Sequence, residues 1–426
     1  MVLGKLGHEI KIVEASWEVL IIESEQSIDS EKLQRTLGGV VKIVKVLDEV
    51  KKSKDDSINF ALQNYFKPSK LKKDFLKNST GKLQVGISIY LMKDDVKAFG
   101  EPKRVGMFIK RSMQDTGGSI RVVLPEFNSL SLASVAVTHN ALIQKGAEIC
   151  ILAGHTKLYV GKTLQVQDFE DYGRRDYQRP VRDDKVGMIP PKVAQIMLNL
   201  AGLSQDDTIL DPFCGFGTIL QEALLLGYRV IGTDLNKKAV AASEKNLEWF
   251  RNRYKLPKGK YHVEMSDAKE VSKPLDNLVR IGAIRYISAI VTEGTLGPTY
   301  SQFPTKDEID DNFKELLKLY KTSFSEFYKL IPPKGRVVLC LPAYKNKDTY
   351  TLFPSLDPIL ELGYTIVDII PQTLAKKFKF LQITERGTAI YDRKDQIVAR
   401  ELVILQKSVE STPTEAATTI TTEAKD

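Results

Sequence analysis

The sequence predicts an α/β protein. Its larger, C-terminal part reads as a seven-stranded, mostly parallel sheet covered by helices on both faces, and two smaller mixed units precede it. Three observations carry this. From Pro190 to Lys407 strand-like apolar runs alternate with helical patterns, the signature of strand–helix–strand crossovers. A glycine turn, Asp211-Pro-Phe-Cys-Gly-Phe-Gly-Thr218, joins one such strand to one such helix. Before residue 170, short strands cluster around single helices in two groups.

Residues 1–66 form the first group. Glu18–Glu23 reads as a strand, Ser30–Leu37 as a helix ended by Gly38-Gly39, and Val40–Val46 as a second strand with period two. Residues 67–169 form the second. Leu83–Tyr90 is a strand and Asp95–Met113 a helix bearing Arg104, Lys110 and Arg111. Ser119–Leu124 is a strand, Leu132–Lys145 is helical, and Glu148–Leu152 with Lys157–Val160 reads as a closing strand pair. Residues 170–189 are a polar linker in which Arg174, Arg175 and Arg179 alternate with tyrosines; guanidinium groups suit phosphate and aromatic rings suit bases, while a solvated linker with internal ion pairs has the same composition.

Residues 190–407 carry the large sheet, with strands expected at 208–212, 229–234, 260–265, 286–293, 335–341, 364–370 and 400–406. Pro191–Ala201 starts on proline and stops at Gly202, and Asn236 can cap the helix that runs to Trp249. Thr305 and Glu308 have capping-box spacing ahead of a helix whose Phe313, Tyr320, Phe324 and Phe327 read as core; Pro332-Pro333 stops it. The tail, 408–426, is too polar to order itself.

Composition narrows the function. The chain has 426 residues, 42% hydrophobic and 27% charged, with a formal net charge of +8. That favours an acidic partner such as nucleic acid. Cys150, Cys214 and Cys340 are far apart and neither they nor the four histidines have metal spacing, so no metal is expected and a reducing compartment is. Without a signal core or a membrane-length apolar run, the sequence reads as cytoplasmic.

The glycine turn lets backbone approach a ligand closely, because no Cβ intervenes. Asp234, at the end of the next strand, can accept hydrogen bonds from a ribose diol. A dinucleotide site would place a third glycine in the helix; here it is missing and Asp-Pro precedes the turn. Asp211 suits an ammonium group better than a phosphate. Asp267 follows the third strand, where a carboxylate can meet an adenine amino group.

The turn resembles the S-adenosylmethionine loop of amino-methyltransferases. Together with Asp171-Tyr-Gly-Arg-Arg-Asp-Tyr-Gln-Arg-Pro180 and Gly187-Met-Ile-Pro-Pro-Lys-Val-Ala-Gln-Ile-Met-Leu-Asn-Leu-Ala-Gly202 it is similar to the THUMP-domain tRNA guanine-N2 methyltransferases, whose archaeal and eukaryotic members modify the guanosine at position ten. Ser131–Asn140 and Gly161–Phe169 resemble the end of the THUMP domain, and Leu37–Ile43 resembles the family's N-terminal ferredoxin-like region, expected here in shortened form. The resemblance implies a Rossmann-like class I methyltransferase domain at 190–407. It implies S-adenosylmethionine held by Pro190, Asp211, Phe213, Gly215, Gly217, Thr218, Asp234, Leu235, Asp267 and Ala268, and tRNA as partner to a monomer, contacted by Arg104, Lys110, Arg111, Arg174, Arg175 and Arg179, with room left for a small activating subunit.

Family members place an (Asp/Asn)-Pro-Pro-aromatic turn after the fourth strand, where it accepts the amine hydrogens of a flipped-out base and stacks on its ring. This chain reads Thr292-Glu-Gly-Thr-Leu-Gly-Pro-Thr-Tyr300 instead. Thr292, Glu293 and Thr295 are therefore the expected catalytic turn, with Tyr300 or Phe303 for stacking. The altered turn keeps two alternatives open: methylation of an adenine amine in DNA, and an RNA binder that retains the cofactor fold without turnover.

Overall fold

The computed structural model describes residues 2–76, 83–183, 188–280, 286–347, 349–393 and 396–409. Gly187 and the tail from residue 410 lie outside the described residues.

The large sheet has the expected architecture. Its strands run in the order Tyr261–Met265, Arg229–Asp234, Thr208–Asp211, Ala289–Thr292, Arg336–Asn346, Val398–Lys407, Tyr364–Ile366. The first five are mutually parallel. Val398–Lys407 is antiparallel to both its neighbours, which returns Tyr364–Ile366 to the common direction. All seven expected strands are present. Two more, Thr349–Thr351 and Ala389–Tyr391, pair onto long neighbours; three residues each leave no period to read.

Central strands buried on both faces need apolar residues at consecutive positions, alternating in the layer they enter. Ile209, Val230, Ala289, Val291 and Val338 pack with helices Pro191–Leu200, Thr218–Leu225 and Lys237–Tyr254. Their neighbours Leu210, Ile231, Ile290, Val337 and Leu339 pack on the other side with Lys306–Leu330 and Ser272–Arg280. The capping box is formed: the Thr305 hydroxyl accepts from Glu308 N–H at 3.3 Å, and Glu308 accepts from Thr305 N–H at 2.7 Å. Gly202, at φ +78°, takes the left-handed conformation that ends Pro191–Leu200.

The two small units expected on either side of residue 66 share one sheet. Its order is Lys42–Lys51, Lys157–Val166, Gly146–Ala153, Leu83–Leu91, Ile120–Val123. Lys42–Lys51 pairs antiparallel with Lys157–Val166 along its whole length, a partner more than a hundred residues away that local periodicity does not register. A buried cluster pins this edge: Lys42 Nζ donates to Glu148 at 2.5 Å, and Ser88 and Thr163 hydroxyls also donate to that carboxylate. Among the described residues, only the hairpin Lys11–Ala15 with Leu20–Glu23 forms a separate sheet. The long helix expected over Leu132–Lys145 is cut to Ser134–His139, with Ala141 at φ +47°.

The linker is also not a loop. Phe169–Tyr177 is a helix capped by Asp168, whose carboxylate accepts from Asp171 N–H at 2.9 Å. Arg175 is buried between Asp171 and Glu222. Arg179 is buried too and donates to the Thr218 hydroxyl at 2.5 Å. This corrects the expectation that both face RNA: their charges are spent inside the protein, tying the linker to helix Thr218–Leu225. Arg174 stays partly exposed, paired with Glu170 at 2.9 Å.

The N-terminal segment docks tightly on the large domain. A Cβ on Gly38 would lie 2.3 Å from the Lys192 carbonyl oxygen. Beside it, the side-chain amides of Gln195 and Asn199 donate to the Arg35 and Thr36 carbonyls at 3.3 and 2.9 Å. These carbonyls end helix Ser30–Thr36 and need donors, which explains two polar residues on an otherwise apolar helix face.

Candidate active site

The C-terminal ends of parallel strands converge on one edge, the place where open α/β sheets bind ligands. Thr208–Asp211 delivers Asp211, Arg229–Asp234 delivers Asp234, and Ala289–Thr292 delivers Thr292 and Glu293.

The glycine loop is shaped by backbone needs. Gly215 and Gly217 have φ of +51° and +81°, conformations that cost other residues energy. A Cβ on Gly217 would meet the Ser243 hydroxyl at 2.6 Å, whereas one on Gly215 would face open space. The loop is braced from below: Asn246 donates to the Phe216 carbonyl at 3.0 Å, and Cys214 N–H donates to Thr233 O at 2.9 Å. Cys214 is buried against Gly232 and is a packing residue.

Asp234 accepts from Gly215 N–H at 2.9 Å and Asn236 N–H at 2.8 Å. Each oxygen keeps a further lone pair for a ligand hydroxyl. Leu235 follows with 69% of its surface exposed, an apolar flap at the mouth of the loop. Asp267 caps the short turn Ala268–Glu270 and accepts from Lys269 N–H at 2.9 Å; Ala268 is buried. Pro190 is buried at the start of helix Pro191–Leu200.

Asp211 is 2% exposed and accepts from Phe213 N–H at 3.2 Å. Burial pushes its carboxyl up to about 7; the Thr292 hydroxyl and Phe213 N–H oppose that rise, and Asp234 and Glu293 add to it. No cation is among the groups that shift it. A buried carboxyl beside two others fits a ligand that brings positive charge, as the ammonium and sulfonium of S-adenosylmethionine do.

The turn after the fourth strand is held from several sides. Thr292 is 1% exposed, and its hydroxyl accepts from Gly294 N–H at 3.2 Å while donating to Asp211. It joins two strand ends. Glu293 crosses the sheet edge to Arg400, whose Nε donates to Oε1 at 2.5 Å; the Ile189 N–H also donates to this carboxylate. Burial raises the Glu293 carboxyl, and Arg400 with the Ile189 N–H pulls it back. The Tyr320 hydroxyl donates to Thr295 O at 2.6 Å and Asn312 to Leu296 O at 3.2 Å. Gly294 and Gly297, at φ +68° and +97°, permit the path.

The structure therefore brings Asp211, Phe213, Gly215, Asp234, Thr292 and Glu293 together. Thr218 is buried with its hydroxyl committed to Arg179, so it supports the loop from behind. Tyr300 packs edge-on against Tyr344, at 6.0 Å between ring centres, while Phe303 is exposed. Arg104 pairs with Glu101 at 2.6 Å on helix Glu101–Gln114, which also carries Lys110 and Arg111 and packs on strands Leu83–Leu91 and Ile120–Val123 of the smaller sheet. Arg400, Asn312 and the polar role of Tyr320 were not foreseen. Arg400 lies 107 residues from its partner, and nothing near it in sequence marks it.

Residues 179–349 match the RMKL-like methyltransferase domain family. A tRNA (guanine(10)-N2)-dimethyltransferase of Methanothermobacter thermautotrophicus is 33% identical over 163 residues, 38% of this chain and 41% of that one. A probable enzyme of the same name from Methanothermococcus thermolithotrophicus is 30% identical over 127 residues, 30% of this chain and 74% of that one. The chain spans about two-fifths to half the length of the first curated relatives it matches. Among solved structures, TrmN from Thermus thermophilus superposes with a TM-score of 0.52 over 91% of this chain and 88% of that chain, at 16% identity. That likeness shows a shared fold.

Proposed function

This chain belongs to the family of the tRNA (guanine(10)-N2)-dimethyltransferases, and from that premise we propose that it methylates the exocyclic N2 of a guanine in tRNA. The observation that carries the reading is the convergence of Asp211, Asp234 and Glu293 around the glycine loop at one end of the sheet. When bound, S-adenosylmethionine supplies an electrophilic methyl group. Asp211 would hold its cationic end, Asp234 the ribose hydroxyls, and Leu235 and Asp267 the base.

Glu293 is the acceptor for the target amine. Arg400 and the Ile189 N–H hold its carboxyl group in place and oppose the rise that burial imposes, and a carboxylate so held still has free lone pairs. Positive charge growing on the target nitrogen during transfer would be stabilised by the Glu293 carboxylate, which would also take the released proton. Thr292 positions the turn against Asp211. The unit built on Lys42–Lys51 and Leu83–Val166 serves as the THUMP-like RNA-holding domain. The reading takes the protein as a cytoplasmic monomer; among the described residues no helix is long and apolar enough to cross a membrane.

The test is transfer of radiolabelled methyl to unmodified tRNA, followed by nucleoside mass spectrometry. N2-methylated guanosine is the expected product. Binding of S-adenosylmethionine without any methylated nucleoside would support the turnover-free alternative, which the replaced Asp-Pro-Pro-aromatic sequence favours. A methylated adenine in DNA would reverse the choice of substrate.

A further inference from the structure

A cleft of about 300 Å³ lies between the N-terminal hairpin and residues 370–381 of the large domain. On one wall is Trp17; on the other are Leu374, Phe378 and Phe380. We propose that this cleft is a stacking groove for single-stranded RNA bases flanking the target nucleotide.

Four observations carry it. Trp17 sits at the tip of a tight hairpin, in the two-residue connection closed by Ser16 N–H to Val19 O at 2.8 Å, and is 65% exposed. Such turns favour small or amide residues, and an indole contributes nothing to this one. Opposite it, the half-buried Phe378 and Phe380 have ring centres 5.7 Å apart and tilted, and Lys377 Nζ lies 5.2 Å from the centre of the Phe378 ring, a cation that a stacking base would displace. Lys376, Lys377 and Lys379 alternate with these rings; all three are exposed, and none forms an ion pair among the described residues. Basic groups along an aromatic platform are what sequence-tolerant single-strand binding requires. Glu18 is the one acidic residue on the cleft wall among the described residues.

The fourth observation is position. Tyr364–Ile366 runs in the common direction of the parallel strands, so the chain beyond it leaves the sheet at the edge that holds Asp211 and Glu293. The groove therefore opens toward the same end of the sheet as the candidate active site, and both units line it. This rests on the reading of RNA as substrate and adds where its strand runs.

The test uses the full chain. In a Trp249→Phe background Trp17 is the only tryptophan, and an eight-residue oligouridylate should quench its emission. Trp17→Ala and the double change Phe378→Ala, Phe380→Ala should each weaken binding of a fluorescein-labelled oligouridylate and of tRNA at least about fivefold. The triple change Lys376→Gln, Lys377→Gln, Lys379→Gln lies on exposed side chains and should flatten the salt dependence of binding. Affinity for S-adenosylmethionine and the melting temperature should stay unchanged in all three. RNA binding undiminished in these variants overturns the groove and leaves the methyltransferase reading intact. RNA held in the groove with no methyl transfer to any tRNA overturns only that reading. No RNA binding by the parent overturns both, and loss of self-association in place of RNA affinity would assign the groove to a second copy of the chain.

Discussion

Asp211 and Glu293 are two buried carboxyl groups with different company. Asp211 has hydroxyl and N–H donors and two neighbouring carboxylates, and its carboxyl is pushed up to about 7. Its folded value lies above the unfolded one, so the folded state binds the extra proton. The stability this gives is fully present below about pH 4 and is lost as pH rises through about 7. Without ligand, Asp211→Asn should therefore be more stable than the parent at pH 8, by about 2–4 kcal/mol in denaturant titrations. A cationic ligand lowers the Asp211 value, so S-adenosylmethionine should bind more tightly as pH rises from 5 to 7, releasing a proton. Calorimetry in buffers of different ionisation enthalpy should show that proton, and Asp211→Asn should abolish it. Glu293 has Arg400 instead. Arg400→Gln removes the pull that opposes burial, so the acid limb of the methyl-transfer profile should move to higher pH, with Arg400→Lys restoring part of the shift. An unmoved profile would remove Glu293 from the reaction.

At the level of elements, the turn after the fourth strand is a loop held by a helix. Lys306–Leu330 reaches it through the Tyr320 hydroxyl on Thr295 O and the Asn312 amide on Leu296 O. Tyr320→Phe should cost about 1 kcal/mol of stability and lower kcat more than it raises KM, because the turn loses its anchor while the donor site keeps its contacts. The sequence made the helix itself legible, since its cap, its apolar spacing and its Pro-Pro stop are all local. The same spacing that marks Tyr320 as core hides what its hydroxyl does. Asp211, Asp234 and Glu293 could be read because strand ends bring them together in every fold of this type. Arg400 could not, because the antiparallel return of Val398–Lys407 beside Arg336–Asn346 is a property of the closed sheet. Arg175 shows the converse error. An arginine beside tyrosines looks like a phosphate ligand, yet it is the buried counter-charge of Glu222. Arg175→Ala should cost about 3–5 kcal/mol, since it strands that carboxylate, whereas Arg174→Ala should leave the melting temperature nearly unchanged.

The described residues build two sheets and a hairpin joined by close polar contacts. Edge strand Lys42–Lys51 arises from the first unit but completes the sheet of the second, so the two fold as one piece through strand Lys157–Val166. That piece meets the large domain at Gly38, where any side chain would enter the Lys192 carbonyl. Gly38→Ala should destabilise the protein by about 1–3 kcal/mol, visible as a lower melting temperature and as faster proteolysis between the units. The contact point has a second meaning. Helix Pro191–Leu200 begins at the mouth of the donor loop and is gripped along its length by Arg35, Thr36 and Gly38. The N-terminal unit and the strand ends that carry Asp211 and Glu293 are thereby tied through a single helix, and a partner lying across both would meet them as the two jaws of one caliper.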